Sequence, residues 1–151
     1  MYLIPLTSSN FAKTSHKKYS ILVNLVKLYA FEHTGPGRMA NLDKDLVRNA
    51  VINLVTNSIK YAGENAVIIL KTDISGHRVV ISIKDNGIGI AEYQQKDLFT
   101  PFFKVSNKGN IPWTGLGLSI VLKFVNILNG KLSFSSIPYQ ETCFKMSFLI
   151  T

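Results

Sequence analysis

Residues 43–62 constrain this chain more than any other stretch. Leu46, Val47, Ala50, Val51, Leu54, Val55, Ser58, Ile59 and Ala62 recur at three- and four-residue spacing. That is the period of a helix with one buried face. Asp43 is placed to cap its start and Gly63 to end it. A helix of this kind has to lay its stripe on a partner, and the next residues supply one. Val67 to Ile74 and Arg78 to Asp85 are rich in β-branched residues and joined through Ser75-Gly76, which predicts an antiparallel hairpin. Residues 104–114 read as a loop. A second helix is predicted from Gly115 to about Leu128, with Asn129-Gly130 as its stop. Lys131 to Ser136 and Thr142 to Ile150 read as a closing pair of strands. Phe144, Met146, Phe148 and Ile150 alternate onto one face of the last one. Hairpins separated by helices predict an α/β (α+β) two-layer sandwich, one mostly antiparallel mixed sheet covered by helices on one face.

Residues 1–40 carry less pattern. Thr7-Ser8-Ser9-Asn10 suits the cap of a helix running toward Tyr19, and residues 20–29 fit helix or strand. Tyr29 to Thr34 reads as a short strand, and Gly35-Pro36-Gly37 forces a turn. A length of 151 residues argues for one domain, with 1–40 as its entry segment and 41–151 as its body. At 46% hydrophobic and 17% charged, the chain can bury a core. Its net charge of +8 does not point to nucleic acid, because the lysines are scattered and only Lys17-Lys18 are adjacent. The single cysteine, Cys143, excludes an internal disulfide framework. No apolar run is long enough to span a bilayer, and the opening residues lack the basic flank of a signal peptide, so the expected location is cytoplasmic.

Four short segments carry candidate chemistry. On a helix over 43–62, Asn53, Asn57 and Lys60 fall within an arc of roughly 60° beside the apolar stripe, with Tyr61 further round. Amide oxygens are hard ligands suited to Mg²⁺, and a lysine there can meet phosphate. A solvated polar face would have the same composition. Asp85-Asn86-Gly87-Ile88-Gly89-Ile90 follows a strand. Its aspartate can accept from a base amino group, although Asp-Asn-Gly is also ordinary turn chemistry. Thr114-Gly115-Leu116-Gly117-Leu118-Ser119 opens a helix, where backbone N–H groups favour anions. It lacks the lysine of a P-loop and the third glycine of a dinucleotide fingerprint. Leu98-Phe99-Thr100-Pro101-Phe102-Phe103-Lys104 suits anchoring a loop to the core.

Taken in order, these segments resemble the N, G1, F and G2 boxes of histidine kinase ATPase domains. That family shares a superfamily with the Hsp90 chaperones, the MutL mismatch-repair proteins and type II topoisomerases. The boxes span 43 to about 130, and the closing strands extend the likeness to about 150. The phenylalanine box is similar to sensor kinases rather than to the chaperones or topoisomerases. The resemblance implies a Bergerat-type ATP-binding fold with ATP and Mg²⁺ as cofactors. By position, Asp85 would accept from the adenine amino group, Asn57 would bind Mg²⁺ with Asn53 beside it, Lys60 would approach phosphate and Tyr61 would flank the adenine. Gly87 and Gly89 would let the chain pass close to the base, with Ile90, Phe99 and Leu118 also in the nucleotide site. Residues 104–114 would form an ATP lid. Thr114, Gly115, Leu116 and Gly117 would hold phosphates, and Asn53 and Lys104 are the candidate catalytic residues.

The chain departs from the family at Lys104, where arginine is common, at Trp113, where glycine is usual, and at Glu141, where the last hairpin usually has glycine and should be rebuilt. None of His16, His33 and His77 lies in the family's phosphoacceptor context. The resemblance therefore implies a catalytic domain acting on a histidine of a separate dimerisation domain, with a response regulator downstream and a parent protein that can be membrane-anchored. The alternative is an inactive ATP-binding or interaction domain of the same fold.

Overall fold

The structure is a computed structural model and describes residues 4–5, 28–36, 39–63, 67–103 and 114–150. Its elements are β1 (Ile4–Pro5), β2 (Leu28–Thr34), β3 (Met39–Ala40), α1 (Lys44–Ala62), β4 (Val67–Ser75), β5 (Arg78–Asp85), α2 (Glu92–Gln95), α3 (Gly117–Ile127), β6 (Lys131–Ile137) and β7 (Glu141–Leu149). Five strands form one sheet in the order β2-β4-β5-β7-β6. All its neighbours are antiparallel except β2 and β4, which run parallel from Leu28 opposite Val67 to Thr34 opposite Asp73. β1 and β3 make a separate small ladder. The mixed sheet with its packed helices is the expected two-layer architecture. The readings of Thr7–Asn10, residues 20–27, His16, Lys104 and Trp113 lie outside the described residues.

α1 forms where its periodicity places it. The Asp43 carboxylate accepts from the N–H groups of Asp45 and Leu46 at 2.9 and 3.0 Å. Such a cap is worth about 1 kcal/mol. Gly63 ends the helix at φ 81°. Val47, Ala50, Val51, Leu54 and Ser58 are buried, and α1 packs on α3 and on β4 and β5. Alternate residues of β5 (Val79, Ile81, Ile83, Asp85) are buried, and Phe144, Met146, Phe148 and Ile150 are buried with them, as their alternation predicts. Each large apolar side chain removed from water here contributes about 1.5–3 kcal/mol.

Three boundaries differ from the sequence reading. α3 begins at Gly117 rather than Gly115. Gly115 stands at φ 70°, outside helical space, and a Cβ there would lie 2.7 Å from the Phe102 carbonyl carbon. β4 runs on to Ser75, so the turn is Gly76-His77. In the closing hairpin, Tyr139 takes a left-handed φ of 61° and its N–H donates to the Ile88 carbonyl at 2.7 Å. That turn frees Glu141 to begin β7 and to pair with Lys84 at 2.7 Å.

Candidate functional site

A cleft of about 230 Å³ lies between α1, the sheet and the start of α3. Its α1 wall carries Asn53, Asn57, Lys60 and Tyr61. The Asn53 amide nitrogen donates to the Asn49 carbonyl at 3.0 Å, which leaves its amide oxygen free to face the start of α3. A Cβ built on Gly117 would lie 3.6 Å from both polar atoms of Asn57 and 3.7 Å from that Asn53 oxygen. The two carboxamides therefore meet the first turn of α3 with only a glycine between. Lys60 Nζ donates to the Tyr61 hydroxyl at 2.6 Å and lies 4.4 Å from the centre of its ring, so ammonium and ring form one unit on this wall.

Asp85 sits at the sheet end of the cleft and is 4% exposed. Ser58 donates to its Oδ2 at 2.8 Å, and the Gly87 N–H donates to its Oδ1 at 3.1 Å. Burial pushes the carboxyl above its ordinary range, while the Ser58 and Gly87 donors pull it back and the charge of Glu141 adds a small upward push. Thr142, opposite Asp85 across the β5–β7 ladder, also lines the cleft. Its hydroxyl is 2.9 Å from that of Ser136, which in turn accepts the Ile90 N–H at 2.9 Å and donates to the Glu141 carbonyl.

The glycines after β5 make their closest approaches to the chain itself. A Cβ on Gly87 would lie 2.5 Å from the Ala62 Cα at the end of α1. One on Gly89, at φ 64°, would lie 2.2 Å from the Ile137 carbonyl oxygen. Gly89 and Ile90 line the cleft; Gly87 does so only indirectly, through its bond to Asp85. The far wall is Thr114, Gly115, Gly117 and Leu118. Leu116 lies outside the lining and is the N-cap residue of α3, which has no side-chain cap. The first N–H groups of α3 thus keep their capacity for an anion.

The phenylalanine box divides its labour. Phe99 packs edge-on to Phe134 with centroids 5.7 Å apart and does not line the cleft. Phe103 lines it. Phe102 is 70% exposed at φ 66°, and its N–H donates to the Gly115 carbonyl at 3.0 Å. Ser58, Thr142 and Phe103 also serve the site, though none stands out in the sequence as a site residue. Ser58 shows only as a hydroxyl inside an apolar stripe, and Phe103 only as part of the phenylalanine box.

Hard amide oxygens beside an uncapped helix start suit a cation bridged to phosphate. Among the described residues no group of three or more His, Cys, Asp or Glu side chains could hold a metal alone. A cation here would complete its shell with water and ligand oxygens. Among the described residues no helix is long and apolar enough to cross a membrane.

Residues 42–151 match the family described as histidine kinase-, DNA gyrase B- and HSP90-like ATPases. The chain is similar to the adaptive-response sensory kinase SasA of Crocosphaera subtropica, 33% identical over 103 residues, which cover 68% of this chain and 27% of that protein. It is also similar to sporulation kinase C of Bacillus subtilis, 32% identical over 127 residues, covering 84% of this chain and 28% of that one. The chain thus spans little more than a quarter of either relative's length. Among solved structures, the catalytic domain of histidine kinase ThkA superposes with a TM-score of 0.81 at 23% identity, covering 100% of this chain and 97% of that one. The mycobacterial sensor histidine kinase MprB does so at 0.76 and 20%, covering 99% and 98%.

Proposed function

This chain belongs to the family of histidine kinase-, DNA gyrase B- and HSP90-like ATPases, and from that premise we propose that it is the ATP-binding catalytic domain of a sensor histidine kinase. One arrangement supports the reading above others. A buried, doubly hydrogen-bonded Asp85 stands at one end of the cleft, and paired carboxamides facing an uncapped helix start stand at the other. A base with an amino donor suits the first end and a polyphosphate the second.

In this reading Asp85 accepts from the adenine amino group, Tyr61 flanks the base, and Gly89, Ile90 and Leu118 shape the pocket wall. Lys60 meets phosphate together with Thr114, Gly115 and Gly117. Asn57, with Asn53 beside it, would hold Mg²⁺, which would neutralise phosphate charge when bound. Lys104 is assigned a catalytic role, and residues 104–114 the role of an ATP lid, from sequence position; both lie outside the described residues, Thr114 excepted. Residues 41–151 would make up the ATPase domain.

The reaction is in-line transfer. The bond from the γ-phosphorus to the bridging oxygen breaks, a bond to an imidazole nitrogen forms, and ADP leaves. The domain contributes positioning and charge stabilisation, with no covalent step of its own. The imidazole would come from a separate dimerisation domain, and a response regulator would receive the phosphoryl group afterwards. His33, whose Nδ1 is 2.7 Å from the Thr72 hydroxyl, and His77, in the β4–β5 turn, are both outside the cleft lining. A domain that consumes ATP needs the compartment that holds it, which assigns this one to the cytoplasm.

The test is to mix the chain with Mg-ATP and a matching dimerisation domain and to measure acid-labile phosphate on the latter. Transfer that depends on Asn53 is expected. Nucleotide binding with no transfer would reduce the chain to an ATP-binding domain without kinase activity.

A further inference from the structure

Ser58 is the only polar residue among the buried positions of α1, and it is 2% exposed. A hydroxyl on a helix can return to the carbonyl one turn back, as Thr56 does onto Ile52 at 2.7 Å. Ser58 instead donates to Asp85, 27 residues away. The Gly87 N–H occupies the other carboxylate oxygen. One donor from the helix and one from the loop fix the rotation of the carboxylate about its last bond. Gly87 alone would leave that rotation open.

We propose that Ser58 is a positioning residue for the nucleobase: its hydroxyl sets the plane of the Asp85 carboxylate and keeps that group a pure acceptor, so that the cleft selects a base with an amino group on the facing edge. The inference rests on the nucleotide reading given above. An ionised carboxylate has no hydrogen to give. It accepts from an amino group and repels a carbonyl in the same place. Once protonated, it carries an O–H and tolerates the carbonyl.

The surroundings set which form is present. Burial favours the neutral acid, and Ser58 is the largest opposing influence. From β7 the charge of Glu141 also favours the neutral acid, and Glu141 is itself paired with Lys84 of β5. The neighbouring β7 thiol, Cys143, is held protonated by its own burial. On β4 the facing residue is Ile68, and on α1 Lys60 and Tyr61 share the cleft. Without the Ser58 hydroxyl, Asp85 would take up its proton at a higher pH.

The experiment is calorimetric titration of the full chain with ADP and with inosine diphosphate, whose base carries a carbonyl where adenine has its amino group. It covers pH 5.5 to 8.5 for the unaltered chain, Ser58→Ala and Ser58→Cys. Ser58→Ala should weaken ADP binding on the order of tenfold at pH 6. It should move the acid limb of the profile to higher pH and narrow the preference for ADP over inosine diphosphate. Ser58→Cys, close in size but a weak donor, should move all three in the same direction and guards against a folding defect in the alanine variant. A folded variant with the unaltered profile and preference would overturn the role of Ser58 and leave the nucleotide reading intact. Failure of the unaltered chain to bind ADP at any pH would overturn both.

Discussion

Gly117 and Asn57 face each other in the lining of the cleft, and a methyl group on Gly117 would rest 3.6 Å from both polar atoms of the Asn57 amide. That is ordinary van der Waals contact, so Gly117→Ala should fold normally, with little change in stability because Gly117 opens α3 rather than lying in its interior. The methyl would nevertheless fill the space proposed above for phosphate beside the carboxamides. Mg-ATP affinity is expected to fall at least tenfold with no loss in unfolding temperature, which paired titration and thermal denaturation would show.

Gly87→Ala and Gly89→Ala should behave in the opposite way. Their added carbons collide with the backbone at Ala62 and Ile137, which cannot swing aside as a side chain can. Each should cost about 1–3 kcal/mol or more, and Gly89→Ala a further ~1 kcal/mol for its left-handed φ. Denaturant midpoints measured without nucleotide should report both losses.

Asp85→Asn should separate stability from binding. Asp85 holds its proton more tightly when folded than when unfolded, because burial disfavours its charge. Its contribution to stability is present below the unfolded carboxyl pKa of about 4 and is lost as pH rises through the higher folded value. The asparagine variant should therefore melt above the unaltered chain at pH 7 to 8, with the gap closing toward pH 3. ATP affinity should drop at least tenfold, the loss of a charged acceptor worth about 1.5–3 kcal/mol. Equal affinity would place the base elsewhere.

Asn57→Ala addresses the cation. If its amide oxygen holds Mg²⁺, the variant should bind ADP about equally with Mg²⁺ and with EDTA, whereas the unaltered chain should prefer Mg²⁺. Titration in the two buffers gives the answer without any assay of turnover.

What the sequence made legible was local. The 43–62 stripe, the Asp43 cap, the two hairpins and the inward set from Phe144 to Ile150 all follow from periods and turn residues within a few positions of one another. Asn53 and Asn57 were visible for the same reason, being one turn apart. Partnerships between distant residues were not visible. No pattern in the sequence couples Ser58 to Asp85, or sets β2 parallel to β4. The phenylalanine box reads as one anchor, yet only Leu98 and Phe99 serve the core, while Phe103 lines the cleft and Phe102 turns outward at a left-handed φ. The closing turn could be foreseen as unusual at Glu141, but not that Tyr139, 90% exposed, would take up the left-handed conformation.

The parallel pairing of β2 with β4 has a practical consequence. Two parallel neighbours need a connection that carries the chain back along the sheet, and here that connection contains α1, the helix of Asn53, Asn57 and Ser58. New termini opened by circular permutation between residues 41 and 66 would release the edge strand and the cleft wall together. The β4–β5 turn is the better place for them. It lies roughly 25 Å along β5 from Asp85, and a Cβ on Gly76 would meet nothing within 4 Å. A sensor fused there would leave the crossover closed and the cleft whole.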